Sequence, residues 1–149
     1  MRTIETDGPG MISRGPLSGL RVLVADDDRI PRRIVSNAIA RAGGESVEAE
    51  DGAAVLEIVS IADAAVDAVV LDFVMPGMDG ADLVRALRVI GFKGPVVGYS
   101  GSVSDAQQAA WVAAGCDEVI PKGCSMIELV TELAAAYRRR RQVFRRKAR

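Results

Sequence analysis

The sequence predicts an α/β protein: a doubly wound, five-stranded parallel sheet with five helices packed on its two faces. Three observations carry that reading. Short apolar runs alternate five times with stretches of helical periodicity. Runs such as "AVVLD" and "PVVGYS" are apolar almost throughout, as strands buried on both faces are. The intervening stretches are amphipathic, and right-handed crossovers leave a three-layer sandwich as the natural arrangement.

Taken in order, "LRVLVAD" predicts a short buried strand. A helix follows over residues 31–42, where Ile30, Ile34, Val35, Ala38 and Ile39 make an apolar stripe. Pro31 suits its first turn, whose N–H groups have no helical partner, and Gly43-Gly44 closes it. "ESVEAE" alternates like a second strand, and "AAVLEIVSIA" forms a helix behind Asp51-Gly52. "AVVLD" is the third strand, "ADLVRALRVIG" a helix ended by Gly91, and "PVVGYS" the fourth strand. "SDAQQAAWVAAG" is a fourth helix capped by Ser104 or Asp105, and "DEVIPK" the fifth strand. The last helix starts at the capping box Ser125-Met126-Ile127-Glu128 and can run on into the arginines.

The composition, 49% hydrophobic and 26% charged, is that of an ordinary globular protein. No apolar stretch approaches the ~20 residues of a membrane-spanning helix, and the N-terminus lacks a signal-type apolar core, so a cytoplasmic location is expected. Residues 1–18, rich in Gly, Pro and Ser, read as a flexible leader; residues 19–137 read as the domain, and 138–149 as a basic tail. Eight of the nineteen basic side chains lie in that tail, leaving a net charge of −9 on residues 1–137. A solvated extension of the last helix is the favoured reading of the tail, ahead of contact with an acidic partner, nucleic acid or an anionic membrane.

The chain contains no histidine, so Ser-His and Cys-His nucleophiles are excluded, as is a phosphohistidine. Cys116 and Cys124 form no CxxC pair and read as small packing residues. Met75 and Met78 likewise read as packing. Trp111 is open between a buried position and a partner surface.

In an open parallel sheet the functional crevice lies beyond the carboxyl ends of the strands. Asp26-Asp27-Asp28 follow the first strand, Asp72 ends the third, Ser100 the fourth and Lys122 the fifth. Carboxylates brought together there repel one another, so either some are protonated or a cation sits among them. An all-oxygen donor set favours a hard divalent ion, Mg2+ foremost. A phosphoryl group could then approach Asp72, whose carboxylate would be the nucleophile, with Ser100, Lys122 and the metal neutralising its oxygens. Neither a GxxxxGK[ST] loop nor a GxGxxG turn is present.

"VLVADDD", "VVLDFVMPGMDG", "VVGYSG" and "EVIPK" together resemble the receiver domain of two-component response regulators of the single-domain, CheY-like kind, over about residues 20–137. The resemblance implies the flavodoxin-like strand order 2-1-3-4-5. It implies that Asp72 is the phosphoacceptor, supplied by a histidine kinase or histidine phosphotransfer protein. Mg2+ would be held by Asp26, Asp27, Asp72 and the backbone carbonyl of Val74, with Asp27 the more direct ligand of the acidic pair. Asp28 would start the first helix, Ser100 would move onto the phosphoryl group, and Lys122 is the lysine of the pattern. Phosphorylation would switch binding to an effector, through the face made by helix 4, strand 5 and helix 5. The only catalysis implied is the domain's own phosphorylation and dephosphorylation. Nothing after residue 137 is long enough to fold as a DNA-binding domain.

The alternatives are the receiver of a hybrid sensor kinase, to which "PLSGLRVLVADDD" could be the linker, and a receiver-like module that is never phosphorylated. A small-molecule phosphatase would need Asp26 and Asp28 as its Asp-x-Asp pair, without the usual Thr after it. Three positions depart from the family. Gly123 follows Lys122 where a proline with a cis bond is usual; a cis Lys-Gly bond costs ~2.5–4 kcal/mol, so a trans, more mobile loop is expected. Val119 stands where many members carry an aromatic switch, which removes ring rotation as a signalling device. Val74 stands where some relatives place a polar residue that orients water, so slow loss of phosphate is expected. Val74→Asn should shorten the aspartyl phosphate lifetime; an unchanged lifetime in a phosphate-release time course would count against that assignment.

Overall fold

The computed structural model describes residues 15–61 and 65–148. Five parallel strands form one sheet in the order β2-β1-β3-β4-β5: β1 Arg21–Ala25, β2 Glu45–Ala49, β3 Ala68–Leu71, β4 Val96–Ser100 and β5 Glu118–Pro121. The helices are α1 Arg29–Arg41, α2 Gly52–Ser60, α3 Gly80–Val89, α4 Asp105–Ala114 and α5 Met126–Ala148. The order reverses direction between β1 and β3, the switch point at which such sheets open a crevice.

Successive side chains of a strand point to opposite faces, and the two cores divide accordingly. Val22 and Val24 pack with Val35 and Ile39 of α1 and Leu129 and Leu133 of α5. Leu23 and Ala25 pack with Val55 of α2, Leu83 and Leu87 of α3 and Trp111 of α4. At 5% exposure Trp111 is a core residue, which excludes it as an exposed anchor on a partner surface. Its ring meets Phe73 edge-on, with centroids 4.3 Å apart. Cys116 is buried and Cys124 half-buried, both free.

Side-chain caps set the helix starts. The Asp28 carboxylate accepts from Ile30 N–H, Asp51 from Ala54 N–H and Asp79 from Ala81 N–H. Ser104 and Gln107 form a reciprocal capping box, and the Ser125 hydroxyl accepts from Glu128 N–H. The "DG" of "VMPGMDG" is therefore partly structural. Asp79 caps α3, and a Cβ on Gly80 would fall 2.7 Å from the side chain of Phe73.

One expected boundary is corrected, and the expected extension of the last helix is present. Leu17 is fully buried and its N–H donates to Ala42 O at 3.0 Å, while a Cβ on Gly15 would collide with the same carbonyl. Residues 15–18 thus belong to the packed domain rather than to a leader; the remainder of the expected leader lies outside the described residues. At the other end α5 continues past 137 without a break to Ala148, because Arg139 and Arg140 pair back onto Glu118 and Asp117 of the fifth-strand segment. Asp117 also accepts from Arg88 of α3 and from Val96 N–H, tying three elements together at the end of the sheet opposite the crevice. No helix among the described residues is long and apolar enough to cross a membrane.

Among the described residues, Ser36 Oγ in α1 is the buried side-chain polar atom without a hydrogen-bond partner. Ser36→Ala removes that unsatisfied hydroxyl and installs a better helix former, so stability should rise by about 1 kcal/mol. A lower midpoint in urea unfolding would show that the hydroxyl is satisfied after all.

Candidate functional site

Parallel register brings the polar strand ends side by side. Ala25 pairs with Leu71, Leu71 with Gly98, and Ser100 with Pro121, so the residues just beyond each strand share one edge. The ladder runs one residue further: Asp72 N–H donates to Ala25 O at 2.9 Å and Lys122 N–H to Ser100 O at 2.8 Å. Backbone pairing therefore aims these side chains independently of the contacts between them.

The phosphoacceptor candidate, Asp72, is only 6% exposed. Its Oδ1 accepts from Val74 N–H at 2.9 Å and from Ser100 Oγ at 3.1 Å, and its Oδ2 from Lys122 Nζ at 2.9 Å. The fully buried Ser100 hydroxyl accepts in turn from Phe73 N–H at 2.9 Å. Lys122 Nζ also reaches Asp26 Oδ2 at 3.0 Å, so one ammonium is shared by carboxylates from two strands. Asp26, 3% exposed, accepts from Asp28 N–H through Oδ1 at 2.9 Å. Asp27 is exposed, and ligand oxygens of Asp26, Asp27 and Asp72 lie within 4.8 Å of one another.

The electrostatics follow from burial and proximity. Burial pushes the Asp26 carboxyl above its usual value; Asp28 N–H and Lys122 oppose the rise, and the Asp72 charge adds to it. Burial pulls Lys122 down, but its hydrogen bonds to Asp72 and Asp26 and their charges outweigh that, so it stays an ammonium well above neutral pH. Three carboxylates face one lysine. That donor set, all oxygen and incompletely neutralised, fits a hard divalent cation.

Asp26, Asp27, Asp72, Ser100 and Lys122, singled out from sequence, meet in one cluster. Val74 joins it through its N–H, while the residue as a whole is 65% exposed. The Lys122–Gly123 bond is trans, and nothing lies within 4 Å of where a Cβ on Gly123 would stand. Three partners escaped the sequence. The Tyr99 hydroxyl donates to Lys122 O at 3.3 Å, Phe73 N–H holds Ser100, and Arg32 Nη1 donates to Asp26 O at 2.7 Å. Each acts on or through the backbone, for which side-chain pattern carries no signal.

The profile of the response regulator receiver domain matches residues 22–134. The response regulator MprA of Mycobacterium sp. (strain KMS) is 37% identical over 121 residues, which cover 80% of this chain and 51% of that protein. MprA of Mycobacterium avium (strain 104) is 36% identical over 121 residues, 80% of this chain and 52% of that one. The chain thus spans about half the length of the curated relatives it matches. Among solved structures, the receiver domain of Francisella response regulator 1452 superposes with a TM-score of 0.73 at 28% identity, covering 81% of this chain and 98% of that one. The Vibrio cholerae chemotaxis protein CheY4 gives 0.73 at 27% identity, covering 78% and 98%.

Lys122→Met would leave Asp26 and Asp72 buried together without their shared cation. In chelator its stability should fall by about 2 kcal/mol, and adding Asp72→Asn should restore part of the loss. An unchanged urea midpoint would mean that the ammonium is no structural partner of the acids.

Proposed function

This chain belongs to the response regulator receiver domain family, and on that premise we propose that Asp72 accepts a phosphoryl group from a phosphohistidine donor. The observation that carries the reading is the division of labour on its carboxylate. One oxygen is held by the Lys122 ammonium, the other by Ser100 Oγ and Val74 N–H. A buried carboxylate with both oxygens oriented is positioned for in-line attack.

In the transfer, an Asp72 oxygen forms a bond to phosphorus as the phosphorus–nitrogen bond of the donor breaks, and the bonding pair leaves with the imidazole. Lys122 is already within hydrogen-bond distance and neutralises charge on the phosphoryl oxygens as it develops. Ser100 exchanges its donation to Asp72 for one to a phosphoryl oxygen. Asp26, Asp27 and Asp72 would hold Mg2+, with Val74 O as a further ligand, and the ion supplies positive charge at the phosphoryl oxygens when bound.

Membership of the family points to a histidine kinase or a histidine phosphotransfer protein as the donor, and this chain has no histidine of its own. The output is phosphorylation-dependent binding of an effector through the face of α4, β5 and α5, so that the chain's only catalysis is on itself. Val119 offers no aromatic ring to rotate. Ser100, by moving, would give up Phe73 N–H, whose residue packs on Trp111 of α4, and that contact is the route to the output face.

Intact mass after incubation with Mg2+ and a small acyl phosphate tests the reading. One added phosphoryl group is expected in the parent chain and none in Asp72→Asn or in chelator. No mass gain, with no binding of Mg2+, would leave a module with the fold alone.

A further inference from the structure

The β1–α1 turn that carries the acidic pair has few fastenings. Asp26 N–H donates to Ala49 O at 3.2 Å, and Asp28 N–H closes onto Asp26 Oδ1. The carbonyls of Asp26 and Asp28 are both held by one residue. Arg32 N–H donates to Asp28 O at 3.3 Å, and Arg32 Nη1 donates to Asp26 O at 2.7 Å. Among the described residues no hydrogen bond reaches the Asp27 carboxylate, so the backbone beneath it decides where that carboxylate lies.

The guanidinium is itself held. Its side chain is 13% exposed, and its Nε donates to Glu48 Oε1 on β2 at 2.8 Å. The planar fork presents Nε to a carboxylate of the edge strand and Nη1 to a carbonyl of the turn in a preset geometry, which a flexible ammonium lacks. Arg33, the next residue, approaches the same Glu48 at 3.5 Å but makes no bond to the turn.

We propose that Arg32 is a positioning residue for the metal: by clamping the Asp26 carbonyl to β2 through Glu48, it orients the Asp26–Asp27 peptide and so places the Asp27 carboxylate. The inference rests on the reading of Asp26, Asp27 and Asp72 as the Mg2+ site. Outer-shell partners of this kind change metal affinity by about tenfold or more when removed. They do so without touching the ion.

The test is Mg2+ titration calorimetry on the full chain, with urea unfolding run on each variant. Arg32→Ala should bind Mg2+ about tenfold more weakly than the parent, and Arg33→Ala should bind as the parent does. Arg32→Lys keeps the charge but not the span, and should lose about threefold; it serves as the folded alternative should the alanine variant not fold. Parent-like affinity in either folded Arg32 variant overturns the proposal, even where the urea midpoint drops, because a purely structural clamp would lower stability and leave affinity alone. An equal loss in Arg33→Ala also overturns it, since nearby charge would then be the cause. Failure of the parent chain to bind Mg2+ removes the metal-site reading and this inference with it.

Discussion

The shared ammonium of Lys122 holds the crevice together. Two buried carboxylates from neighbouring strands repel, and their desolvation alone would push one of them toward the protonated form. The lysine, 2.9 Å from Asp72 and 3.0 Å from Asp26, offsets both effects at once. It cannot offset the third acid as well, and that shortfall suits the crevice to a cation. Under the phosphorylation proposed for Asp72, the charge that stabilises the resting cluster would also meet the phosphoryl group, and structural and chemical roles would converge on one atom, Nζ.

The sheet supplies that atom's geometry. Because Lys122 N–H pairs with Ser100 O and Asp72 N–H with Ala25 O, the ladders extend into the crevice and aim side chains from three strands. Tyr99 adds a second hold on the lysine by donating to its carbonyl. With Gly123 in place of proline, the loop after β5 is secured by these backbone bonds on the lysine itself. The helix starts are built in the same way, since Asp28 and Asp79 lie in acidic motifs yet act as caps.

One departure from the family lies on the path by which a signal would leave the crevice. Val119 takes an aromatic's place on β5, and the aromatic pair here is Phe73 with Trp111, between the segment after β3 and α4. Phe73 fits because Gly80 and Gly98 leave room: a Cβ on either would fall at or within 3.0 Å of its atoms. The basic end of the chain is joined to the fold in its first turn through Asp117 and Glu118.

Sequence alone determined the layer architecture, because apolar runs and helical stripes report periodicity, and periodicity is local. It also determined that Asp26, Asp27, Asp72, Ser100 and Lys122 would meet, because a parallel sheet carries every strand end to one edge whatever the details. Tertiary structure decided what depends on contact between distant segments. Leu17 is core because it meets the end of α1, which a Gly- and Pro-rich stretch does not announce. Trp111 is buried in part because Phe73 comes up beneath it from the segment after β3. Arg32 reaches the Asp26 carbonyl because β2 lies beside β1 and Glu48 faces it. Backbone carbonyls look the same at every position in a sequence, so only the folded chain shows which of them a side chain will find.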